Sequence, residues 1–168
     1  MEEIKDICSK AEDLFKDLGC EFEVCWGYIE DITGSIDDNV KITVKNPHIK
    51  HDMTVEIKKK DEVPEIMLIF EALHDHFEPD EFPKLPNTVR AIIENKIGVG
   101  EIYQGVEQRF FMSANICRSD VESKPYAECF GSLMSGYVEK QCRKDGAEIR
   151  FKFWDPQYDR TIMVEKGS

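Results

Sequence analysis

Four stretches of two-residue alternation constrain this chain more than anything else in it: VKITVK (40–45), DMTVEIKK (52–59), AEIRFKFW (147–154) and TIMVEK (161–166). An apolar side chain at every second position marks a strand with one buried face. NPHIKH joins the first pair and DPQYDR the second, and connections that short make antiparallel hairpins. Any fold for this chain must therefore contain antiparallel sheet.

The remaining segments add helices. Residues 3–18 place Ile4, Ile7, Cys8, Ala11, Leu14, Phe15 and Leu18 at helical spacing, and Gly19 stops the pattern as a helix-ending glycine does. CEFEVCWGYI (20–29) alternates, with Cys20, Phe22, Val24, Trp26 and Tyr28 on one side, and DITGSIDDN (31–39) is turn-rich. Pro64 opens a predicted apolar helix, PEIMLIFEALHDHF (64–77), which the prolines of EPDEFPKLP (78–86) end. NTVRAIIENKIG (87–98) reads as a short helix from Asn87 to Gly98, with a turn at GVGEIYQG (98–105) and one or two strands within 100–117. Lys124-Pro125 precedes a single expected helix over 126–144, stopped by Asp145-Gly146. The class is α+β, an antiparallel sheet with about four helices packed on it. The 168 residues suit one domain, with lobes 1–62 and 100–168 joined by a helical segment 63–99 as the alternative.

The two hairpins echo each other. Aligned on their prolines, Asn46-Pro47 meets Asp155-Pro156, Ile42 and Val44 meet Phe151 and Phe153, and Met53 meets Ile162. Asx-Pro turns generate such likeness by themselves, so an internal duplication of the helix and hairpin unit stands beside plain coincidence.

Composition excludes several functions. A net charge of −12 repels nucleic acid, and Lys41, Lys45, Lys58, Lys59 and Lys60 form only a local strip. The longest apolar run, IMLIF (66–70), is far short of a membrane span, so no membrane insertion is expected. The acidic start MEEIKDICSK has no signal-like apolar core, which with six cysteines points to reduced thiols and a cytoplasmic protein.

Chemistry concentrates in YVEKQCRKDG (137–146). Glu139 and Cys142 sit three apart on a helix, near one face, while Cys129 lies ten residues before Glu139, about 15 Å away by helical rise. Cys117, just before that helix, is the obvious further donor, and two thiolates with a carboxylate suit zinc. Against this stands the plain reading of Cys142 as a small core residue and Glu139 as a solvated charge. His74, His76, Glu78, Asp80 and Glu81 crowd the end of the expected 64–77 helix, where histidines two apart lie on different faces and suit the helix dipole. His48 and His51 share a hairpin loop, and the carboxylates of IEDITGSIDD (29–38) fall on a turn.

CFGSLMSGYVEKQCRKDGAEIRF (129–151) resembles the C-terminal signature of the vinyl-reductase-like family, the small-molecule-binding domain related to vesicle-tethering TRAPP subunits. Cys129, Glu139, Cys142, Gly146 and Phe151 fall in order on that pattern. The resemblance implies an α/β ligand-binding domain, often a homodimer, that senses or carries a hydrophobic molecule, in some members beside zinc. It adds Cys129 to the metal set Cys117, Glu139 and Cys142.

The expectation from all this is a non-enzymatic binding or sensor domain for a small hydrophobic molecule, with zinc as its cofactor. Phe110, Met112, Leu133, Met134, Tyr137 and Phe151 would line its pocket. The alternatives are a thiol-based or metal-assisted enzyme, and an oligomerising adaptor that uses its sheet edge and helix.

Overall fold

The protein is described from a computed structural model covering residues 2–27, 39–49, 51–60 and 63–167. Among these residues two antiparallel sheets and four α-helices make an α+β fold. The chain divides into two compact units, Met1–Arg90 and Ala91–Ser168.

The first unit opens with helix α1 (Glu2–Asp17), followed by strands β1 (Phe22–Trp26), β2 (Val40–Val44), β3 (Met53–Lys60), β4 (Val63–Phe70) and β5 (Leu73–Phe77). The strands form one meander in chain order, every neighbour antiparallel. Ile4, Cys8, Ala11 and Phe15 recur every three or four residues and make the buried stripe of α1, which lies against β2 and β3. The opposing sheet face supplies Ile42, Val44, Met53, Val55, Ile57 and Leu68, all buried. Gly19, at φ 69°, ends α1, with its N–H bonded to the Lys16 carbonyl and that of Cys20 to Phe15.

The helix expected over 64–77 is a hairpin, β4 and β5. Its apolar run is continuous because β4 is an inner strand buried on both faces from Pro64 to Leu68, and such a run has no period to separate strand from helix. The turn between the strands is Glu71-Ala72, with Glu71 at φ 52°, a residue that carries no turn signal. Residues 63–77 thus complete the first sheet and are no helical connector. Tyr28 and most of the turn expected over 31–39 lie outside the described residues.

Helix α2 (Leu85–Ile93) spans the boundary between the units, after a 3-10 turn at Phe82–Lys84. It starts two residues before Asn87, with Pro86 in its first turn, and ends before Asn95 at φ 57°. Gly98, expected as its stop, lies instead inside a strand.

The second unit contains β6 (Ile97–Gln104), β7 (Arg109–Cys117), α3 (Arg118–Ser123), a 3-10 helix (Tyr126–Phe130), α4 (Ser135–Asp145), β8 (Ala147–Lys152) and β9 (Arg160–Val164). Its sheet runs β7-β6-β8-β9, antiparallel throughout, with a bulge where Tyr103 pairs with Phe110 and Ile102 with Met112. Ile102, Ile116, Phe130, Val138, Cys142, Ile149 and Phe151 form its core. The single helix expected over 126–144 is broken, because Gly131 at φ 96° turns the chain out of the 3-10 helix before α4 begins at Ser135. The GVGEIYQG stretch is strand β6 rather than a turn: Gly98 and Gly100 are there because Phe153 and Phe130 lie against their Cα atoms. The chain's two tryptophans fall one in each unit, Trp26 half exposed at the end of β1 and Trp154 buried after β8.

The hairpin echo is real in register but not on the prolines. Lys45 donates to Asp52 Oδ2 at 3.2 Å, and Asp52 Oδ1 accepts the Asn46 N–H at 3.1 Å. Lys152 donates to Asp159 Oδ2 at 3.4 Å, and Asp159 Oδ1 accepts the Phe153 N–H at 2.8 Å. The spacing is 107 residues, from Lys45 to Lys152 and from Asp52 to Asp159, whereas the prolines are 109 apart. At 107, Ile42 meets Ile149, Thr54 meets Thr161 and Val55 meets Ile162, and buried and half-buried positions alternate identically over 40–46 and 147–153. The sheets around the hairpins differ: β3 is flanked by β4, while among the described residues β9 ends its sheet.

Candidate functional site

The expected metal set does not assemble. Cys142 lies fully inside the core of the second unit, and burial pushes its thiol up to about 11. Glu139 points outward and holds Arg143, its Oε1 accepting from Nη2 at 3.0 Å and Nε at 3.2 Å. Three residues on a helix differ by about 60° in direction, enough to put one side chain in the core and the other in solvent. Cys129 is also buried; its thiol donates to the Pro125 carbonyl at 3.7 Å and is shifted up, first by burial and then by Asp120. Cys117 is exposed at the end of β7. Among the described residues no group of three or more His, Cys, Asp or Glu side chains is placed to hold a metal ion. Arg150 donates to Glu148 at 2.7 Å, and its guanidinium carbon lies 4.4 Å from the Tyr103 ring centre.

HDHFEPDE begins on strand β5, not on a helix, so His74 and His76 share a face. His76 Nδ1 is 3.1 Å from Oε1 of the buried Glu65, and His51 Nδ1 is 3.4 Å from Glu71. On the same face of the first sheet Glu56 is buried with Lys41 Nζ at 3.7 Å, and its Oε1 has no hydrogen-bond partner among the described residues.

The six apolar candidates separate into three environments. Phe151 is buried in the core with its ring 6.1 Å from Phe130, and Met112 packs half-buried against the same cluster. Phe110, 55% exposed, lies beyond the bulge on the opposite sheet face, edge-on to Tyr103 at 5.8 Å. Leu133, Met134 and Tyr137 follow one another closely where α4 begins, 99%, 41% and 49% exposed. Gly131 opens a tight turn there: Met134 N–H bonds to its carbonyl at 3.0 Å, and Ser135 Oγ donates to the Ser132 carbonyl at 3.0 Å. That turn carries Leu133 outward, and the Tyr137 ring lies 6.1 Å from Phe111 of β7. The sequence offers Phe111 as lining or core alike, and the bulge that places it on this side has no signal in the sequence.

Tyr126 was missed as well. Its hydroxyl is buried without a hydrogen-bond partner among the described residues, and its acidity is weakened by burial first, then by Cys142 and Glu139. It marks the packed seam between the 3-10 helix and α4.

No family model, curated protein or solved structure matches the chain.

Proposed function

We propose that this protein is a non-enzymatic binding domain whose ligand is a hydrophobic molecule seated on the surface of Phe111, Leu133, Met134 and Tyr137. The observation that carries the reading is a run of exposed apolar side chains, Leu133, Met134 and Tyr137, on a turn held by its own hydrogen bonds and the first turn of α4, with the Tyr137 ring against the half-buried Phe111. Single exposed leucines need no explanation, but three exposed apolar side chains within five residues on a fixed frame suit a contact site. The resemblance of residues 129–151 to the vinyl-reductase-like family supports the same ligand class. A thiol-based reaction gains nothing from Cys8, Cys20, Cys129 and Cys142, whose shifts all favour the protonated thiol over the reactive thiolate.

The probe is 1-anilinonaphthalene-8-sulfonate, titrated against wild type and a Leu133→Ser/Met134→Ser double variant. Emission enhancement should fall severalfold in the variant. Stability should stay within about 0.5 kcal/mol of wild type, since neither side chain packs into the core. Unchanged probe binding overturns the reading.

A further inference from the structure

Resting on that reading, we infer that the molecule seated on Phe111, Leu133, Met134 and Tyr137 carries an anionic head, received by Lys140 and Lys144. Beyond Tyr137 helix α4 continues as VEKQCRK (138–144). Positions three, four and seven residues apart share a helix face, so Lys140 and Lys144 follow Tyr137 along one side of α4. Val138 and Cys142 turn away from that side, into the core. By helical rise the two lysines start about 4.5 and 10.5 Å beyond Tyr137. Helical side chains lean toward the N-terminus of their helix, which aims both stems back at the apolar end.

The two lysines are free for this role. Both are exposed, and neither holds a carboxylate among the described residues, whereas Lys96, Lys124 and Lys152 of the same unit each do. Glu139, the one acidic residue between Tyr137 and Lys144, is taken up by Arg143, and Asp145 is the last residue of the helix. The unit as a whole does not repel an anion. Ala91–Ser168 carries 12 acidic and 11 basic side chains, against 22 and 11 in Met1–Arg90. Apolar residues followed by two unpaired cations complement an amphiphile with an apolar body and one negative charge. The occupant is a dissolved molecule rather than an anionic lipid surface, because such a surface meets the field of the whole chain, at −12.

1-Anilinonaphthalene-8-sulfonate and N-phenyl-1-naphthylamine share a ring system and differ in the sulfonate, so fluorescence titrations with both separate head from body. Lys140→Gln/Lys144→Gln should raise the dissociation constant of the sulfonate about three- to tenfold and leave that of the neutral probe within about twofold. Raising salt from about 50 to about 500 mM should weaken the sulfonate on wild type and hardly on the variant. Lys5→Gln/Lys10→Gln on α1 removes the same charge and should change neither probe. Equal loss of affinity for both probes, no loss for either, or the same loss from the α1 variant overturns the inference. So does sedimentation with phosphatidylglycerol vesicles that Lys140→Gln/Lys144→Gln abolishes, since the occupant is then a lipid surface. Leu133→Ser/Met134→Ser should weaken both probes. If it does while the lysine variant spares the sulfonate, the proposed function survives and this inference does not. A wild type that brightens neither probe ends both.

Discussion

Gly98→Ala tests the packing of the second unit at its tightest point. A Cβ at Gly98 would sit 2.3 Å from the Lys152 carbonyl oxygen and 2.6 and 2.7 Å from two ring carbons of Phe153. The carbonyl belongs to the β8 backbone and Phe153 is buried, so neither can swing aside. Relief requires prising β6 from β8 by most of an ångström, in the middle of a four-stranded sheet. Overpacking of this kind costs about 1–3 kcal/mol, and a clash with backbone belongs at the upper end. At roughly 2–4 °C per kcal/mol for a chain of this length, the melting temperature should drop by about 6–12 °C. Gly100→Ala is the control. Its Cβ would meet only side-chain atoms, two carbons of the Phe130 ring at 3.0 Å and Ile116 Cγ2 at 3.1 Å, which can yield by a few tenths of an ångström. The reduced freedom of the unfolded chain offsets part of that cost, leaving about 1 kcal/mol or less. Urea titrations of both variants decide it. Wild-type stability in Gly98→Ala, or a greater loss in Gly100→Ala, would refute the account of β6.

Two further outcomes follow from the geometry. Burial, with Glu12 adding to it, raises the Cys8 thiol from 9.0 to about 12, and burial raises Cys142 from 9.0 to about 11. Unfolded thiols ionise first, so this contribution to stability is whole below pH 9 and drains away between 9 and about 12. Melting temperatures should fall across that window, and fall less steeply in Cys8→Ala/Cys142→Ala; an identical slope would count against the buried placement. Asp52→Asn and Asp159→Asn should each cost about 1 kcal/mol in urea titrations, because each removes the same Lys and backbone N–H clamp. If one loses stability and the other does not, the hairpins are not equivalent.

Where local chemistry decides conformation, the sequence was readable. The apolar stripe of α1, its glycine stop and the alternation of β2, β3 and β8 each specify one element without help from the rest of the chain. Reading failed where the deciding term is tertiary. PEIMLIF becomes strand only because neighbours on both sides make it an inner strand, and the break at Gly131 is a backbone conformation that composition does not announce. The prolines misled the repeat alignment by two residues, since Asn46-Pro47 and Asp155-Pro156 sit at different places in loops of equal length. Hydrophobicity singles out Leu133, Met134 and Tyr137 but could not say that they face outward. Spacing placed Glu139 near Cys142 without showing that the helix turns one into the core and the other away from it.

The tryptophans have a practical consequence. Trp26, half in water, should emit at longer wavelength than Trp154, sealed in the core of the other unit. One fluorescence spectrum therefore carries a separate colour for each half of the chain, and a denaturation series read at both wavelengths reveals whether the halves come apart in one step or two.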